Sequence, residues 1–62
     1  MSYQAAIKKL RRELLITQSE LAKMLGVSFE SVNRWENGKC EPTMAVKRKL
    51  SSYFEKYGLE ID

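Results

Sequence analysis

A chain of 62 residues with 44% hydrophobic content holds one domain and a small core, because a domain this short buries only about 60% of its unfolded surface. It has no run of 18 apolar residues to cross a membrane, its opening residues do not read as a signal peptide, since Ala5-Ala6-Ile7 is broken at once by Lys8-Lys9, and it has one cysteine, which excludes an internal disulfide and leads to the expectation of a reducing cytoplasm. The net charge is +3, but residues 1–57 carry all 11 bases and only six of the 8 acids, an asymmetry that suits a polyanion and equally suits plain solubility.

The periodicity predicts a first helix over about Gln4 to Leu14, after a fraying Met1–Tyr3. Ile7, Leu10 and Leu14 form its apolar stripe. Lys8, Lys9 and Arg12 lie off that stripe, whereas Arg11 sits beside its edge. Leu15 resists positive φ, so the helix is expected to run one residue longer. A second helix spans about Gln18 to Leu25. Thr17 caps it and Glu20 completes a capping box, with Ile16 and Leu21 as a hydrophobic staple. Gly26 supplies the left-handed residue that ends it, and Val27 points to the core. Ser28 caps a third helix, about Phe29 to Glu36, which Asn37-Gly38 terminates. At 100° per residue, Glu30, Asn33, Arg34 and Asn37 share one face of this helix and Val32, Trp35 and Glu36 the other. Pro42 pushes Glu41 out of helical geometry. Thr43 then opens a last helix, about Met44 to Tyr57, striped by Val46, Leu50, Tyr53, Phe54 and Tyr57. Residues 58–62 read as a tail.

Helix, short turn with Gly, helix is the layout of a helix-turn-helix. The residues Arg11, Thr17-Gln18-Ser19-Glu20-Leu21-Ala22, Gly26, Ser28, Val32, Trp35-Glu36-Asn37-Gly38 and Pro42 closely resemble the pattern of the Cro and lambda-repressor-like regulators. The resemblance runs from about Ile7 to Leu50. It implies a small all-α domain; relatives commonly carry a fifth helix, for which Gly58–Asp62 is too short, so a four-helix variant, 1–62, is expected whose last helix covers the missing side. It also implies sequence-specific binding of double-stranded DNA, with the third helix in the major groove. Relatives bind palindromic sites as two-fold dimers, and a transcriptional repressor is more common among them than an activator. An antitoxin or a restriction–modification controller is a further alternative. The resemblance assigns a buried structural ion pair to Arg11 and Glu36.

Several side chains are candidates for reading bases: Ser28, Phe29, Glu30, Asn33 and Arg34. An arginine pairs bidentately with guanine O6 and N7, a carboxylate accepts from cytosine N4, and an apolar ring meets a thymine methyl. Each has a plainer reading. Phe29 packs on helix two or a partner copy, Glu30 rejects wrong sites, and Arg34 is a solvated arginine paired with Glu30. Phosphate contacts are expected from Gln18 at the start of helix two, and the resemblance implies Asn37 and Lys39, after helix three, on the other side; these position the domain without reading sequence. Trp35 reads as core rather than as a base-stacking ring. Lys47, Arg48 and Lys49 read as a solvated face, with an extra phosphate contact as the alternative.

The chain has no His, so neither a His-based metal site nor a Ser-His nucleophile is available. Its carboxylates are scattered along helices. No enzyme, cofactor, metal or small-molecule ligand is expected. Cys40 beside Lys39 reads as an inert loop thiol, with a redox switch as the alternative. The rivals to DNA binding are a protein-interaction module on the same fold and a targeting domain for an enzyme encoded elsewhere.

Overall fold

The computed structural model describes residues 1–61 and contains four helices: α1 (Tyr3–Leu14), α2 (Gln18–Leu25), α3 (Phe29–Glu36) and α4 (Met44–Lys56). The domain is all-α. Its core is built from Ala6, Ile7 and Leu10 of α1, Leu21, Ala22 and Leu25 of α2, Val32 and Trp35 of α3, and Val46, Leu50 and Phe54 of α4. No helix among the described residues is long and apolar enough to cross a membrane.

Helix α1 starts one residue before the expected Gln4, and Tyr3 does not fray. Ser2 caps the helix by accepting from the Ala5 N–H at 3.2 Å. The Tyr3 ring packs against Phe54, with centroids 6.2 Å apart, and the Lys47 ammonium lies 4.9 Å from the ring centre. These contacts tie the N-terminus to α4.

All four helices end the same way. Just past each helix, one residue donates back to a carbonyl three residues earlier and the next donates five residues back: Leu15 and Ile16 for α1, Gly26 and Val27 for α2, and, one residue further out, Gly38 and Lys39 for α3 and Gly58 and Leu59 for α4. This Schellman geometry needs a left-handed residue at its centre. Glycine fills that position three times, and Leu15 fills it once at φ 56°. The expected extension of α1 is therefore corrected. Two hydrogen bonds and the need to deliver Thr17 to the head of α2 outweigh the side-chain clash, about 1–2 kcal/mol for an L residue. Leu15 itself is 89% exposed, so its side chain recovers nothing from burial.

Helix α2 begins on a complete capping box: Glu20 N–H donates to the Thr17 hydroxyl at 3.1 Å, and Thr17 N–H to the Glu20 carboxylate at 3.0 Å. Gly26 then turns the chain so that Val27 packs on the core and Ser28 starts α3. Thr43 opens α4 from an extended conformation, but its hydroxyl makes no cap hydrogen bond.

Residues 58–61 are not a loose tail. The Leu59 N–H reaches the Phe54 carbonyl at 2.8 Å, which turns Leu59 into the core and lays the half-buried Ile61 beside it. Asp62 lies outside the described residues. Phe54 is buried within the monomer, while Tyr53 and Tyr57 remain half-buried.

Candidate nucleic-acid interface

Helix α3 is fixed before its outer face is considered. Arg11 donates to both carboxylate oxygens of Glu36, at 2.7 Å from Nη2 to Oε1 and also from Nε to Oε2. Its Nη1 reaches the Ile16 carbonyl at 3.3 Å. One guanidinium thus joins α1, the α1–α2 loop and the last turn of α3. Glu36 is only 3% exposed. Burial pushes its carboxyl up, but hydrogen bonds from Arg11 and Gln18, with the charges of Arg11 and Lys8, outweigh burial and hold it below its ordinary 4.5. The same hydrogen bond raises the Arg11 guanidinium. Gln4 adds a long-range cap, donating from Nε2 to the Glu36 carbonyl at 3.1 Å.

Trp35 and Val32 are buried behind this pair, which leaves the opposite side of α3 to solvent. Phe29, Glu30, Asn33, Arg34 and Lys39 line one open cleft of about 340 Å³. Phe29 is 41% exposed, and Glu30 and Arg34 are exposed beside it. Among the described residues no ion pair joins Glu30 to Arg34, so the guanidinium keeps its donors for a ligand.

The other candidates are placed differently. Ser28 accepts from the Ser31 N–H at 3.3 Å and shares a hydrogen bond with the Ser31 hydroxyl at 3.0 Å, so its oxygen serves the helix cap. Asn33 is half-buried and engages both ends of its amide. Nδ2 donates to Gln18 Oε1 at 3.2 Å, and Oδ1 accepts from Asn37 Nδ2 at 3.0 Å. Gln18, Asn33 and Asn37 therefore form one chain of amides from the head of α2 to the end of α3. Asn37 and Lys39 are exposed at that end.

The expected solvated face of α4 stays exposed at Arg48 and Lys49, but Lys47 and Lys49 also have partners within the domain. Lys47 bonds Glu41 at 2.9 Å, which raises its pKa, and lies over Tyr3. Lys49 donates to the Leu25 carbonyl at 3.1 Å, capping the C-terminus of α2 at the helix-turn-helix turn, where a cation also meets the favourable end of the dipole. Arg48 is exposed. Sequence reasoning missed Gln4 and Lys49 because each serves a helix other than its own, and no local pattern marks such a cap. Cys40 is a free, exposed thiol.

The chain matches the family model described as Helix-turn-helix over residues 7–61. It is 33% identical over 54 residues to the HTH-type transcriptional activator BcrR of Enterococcus faecalis, a match covering 87% of this chain and 26% of that protein. It is 38% identical over 48 residues to an uncharacterized HTH-type transcriptional regulator of Archaeoglobus fulgidus, covering 77% of this chain and 68% of the relative. The chain thus spans about a quarter of the length of the activator. No solved structure gives a significant match. With a capped α2, a glycine turn, an α3 anchored from behind and the family match over residues 7–61, the chain belongs to the helix-turn-helix family of Cro type.

Proposed function

We propose that this domain is a DNA-binding transcriptional regulator that lays the outer face of α3 in the major groove. The observation that carries the reading is the cleft formed by Phe29, Glu30, Arg34 and Lys39 on a helix whose other side is held by the Arg11–Glu36 pair. Arg34 pairs with guanine O6 and N7. Phe29 meets a thymine methyl, and Glu30 accepts from cytosine N4 or repels sites that lack it. Gln18, Asn37 and Lys39 grip phosphates on either side. Its expected compartment is the cytoplasm, and it acts without enzymatic chemistry of its own.

Binding as a two-fold dimer belongs to the same reading. A palindromic site then carries half-sites about 34–36 Å apart, and the half-buried Tyr53 of α4 and Tyr57 at its C-terminal cap are the aromatic side chains left for a partner copy. Repression by occluding a promoter is the simplest mode, and the name of the Enterococcus relative makes activation the alternative; a promoter fusion reads the sign directly.

Selection of bound sequences from a random duplex pool, followed by salt titration of the winner, tests the proposal. A recovered consensus and a fall in affinity steep in salt are expected, because each phosphate neutralised releases counterions. Binding without consensus or salt slope would favour a protein-interaction module, in which the exposed Phe29 is the anchor. Sedimentation of the chain on a duplex carrying both half-sites reads the dimer.

A further inference from the structure

We infer that Asn33 is a positioning residue and not a base reader: its amide yokes Gln18 at the head of α2 to Asn37 at the end of α3. The inference rests on the DNA-binding reading and assigns Asn33 a different task within it. An asparagine reads adenine by donating to N7 and accepting from N6 at once. In Asn33 the nitrogen already donates to Gln18 at 3.2 Å and the oxygen already accepts from Asn37 at 3.0 Å. Bidentate base contact would have to use the one N–H and one lone pair left over, in the orientation that these two bonds impose on the amide. Its half-buried setting contrasts with the exposed Glu30 and Arg34 on the same face.

The direction of the bonds suits phosphate binding. A phosphate only accepts, so a gripping amide must present an N–H. Gln18 turns its oxygen toward Asn33, and its nitrogen, which gives one N–H to the Glu36 carboxylate, keeps the second. Asn37 gives one N–H to Asn33 and keeps the second. Both amides are thereby oriented before DNA arrives. Free glutamine and asparagine side chains would lose rotamer freedom on binding, and a pre-formed yoke removes part of that loss. Helix α2 brings Gln18 against α3, so the yoke also links the two helices that straddle the phosphate backbone.

The test is a double-mutant cycle on the full chain. Asn33→Ala, Gln18→Ala with Asn37→Ala, and the triple variant are titrated against the selected duplex and a panel of its single-base-pair changes at one salt concentration. Thermal melts are recorded alongside. Asn33→Ala is expected to weaken every duplex by a common factor of about tenfold, with the order of preference unchanged. In the background lacking both clamps, the same substitution is expected to have little further effect. Loss of preference at one base pair would make Asn33 a reader and overturn the inference. A full, additive penalty in the clamp-less background would overturn it too, since a purely structural role persists when the clamps are gone. If the unsubstituted chain shows no salt-dependent duplex binding, the DNA-binding reading itself fails and the inference falls with it; a changed preference in Asn33→Ala sinks the inference alone.

Discussion

On one side of α3, Val32, Trp35 and Glu36 are buried, and the polar group among them is held by Arg11 at both carboxylate oxygens. On the other side, Phe29, Glu30 and Arg34 stand exposed around an open cleft. Eight residues thus carry two tasks divided by helical periodicity. The inner face decides whether the helix exists and at what angle. On the outer face Phe29, Glu30 and Arg34 are exposed, so substitutions at these three are expected to cost the fold little.

Removing the inner anchor makes the largest difference. Glu36→Ala leaves Arg11 charged without its partner, and breaking such a pair costs about 3–5 kcal/mol. That approaches the whole stability of a small domain. Loss of the cooperative thermal transition is expected; a melting temperature within a few degrees of the parent would remove the anchor from the account. Acid attacks the same group. The Glu36 carboxyl titrates below 4.5 in the folded chain, so its contribution is complete above the unfolded value and is lost as pH falls through the lower folded value. Denaturant melts should show stability falling below about pH 4.5, with that component missing in Glu36→Gln.

Smaller effects come from the ends of the helices. Lys49→Met keeps the aliphatic stem but removes the cap on the Leu25 carbonyl, and a loss of about 0.5–1 kcal/mol is expected from urea unfolding. Leu15→Gly works in the opposite direction. It places glycine at the one Schellman centre that lacks it, and a gain of about 0.5–1 kcal/mol is expected. Unchanged or lower stability would mean that the exposed Leu15 side chain contributes in some way the αL geometry conceals. Smallest of all is Arg34→Ala, whose melting temperature should stay within about 1–2 °C of the parent. A large drop would break the division between the two faces.

What was legible in the sequence is what is local. The Thr17–Glu20 capping box, the Gly26 turn and the Ser28 cap rest on residues three or four apart, so their chemistry can be read along the chain. The two faces of α3 follow from its period. The start of α1 was misjudged because Tyr3 is held by Phe54 and Lys47, which are distant in sequence. The end of α1 was misjudged because side-chain preference at Leu15 was weighed without the two hydrogen bonds that fix it. Leu59 looked like tail until the end of α4 turned it inward. In the candidate interface, periodicity placed Asn33 outward with Arg34. Only the approach of α2, which brings Gln18 to 3.2 Å, separates their surroundings.

In the proposed function the outer face of α3 reads bases while the loop after it holds phosphate. Arg34→Ala and Lys39→Ala, each measured on the preferred duplex and on random duplex at one salt concentration, test it most directly. Arg34→Ala should lose about 1–3 kcal/mol on the preferred site and far less on random DNA, relaxing the preference at one base pair. Lys39→Ala should weaken both alike, leave their ratio unchanged and flatten the salt slope by about one unit. Equal losses on preferred and random duplex for Arg34→Ala would make Arg34 a phosphate contact and contradict the account; no loss for either variant would take DNA off this face altogether.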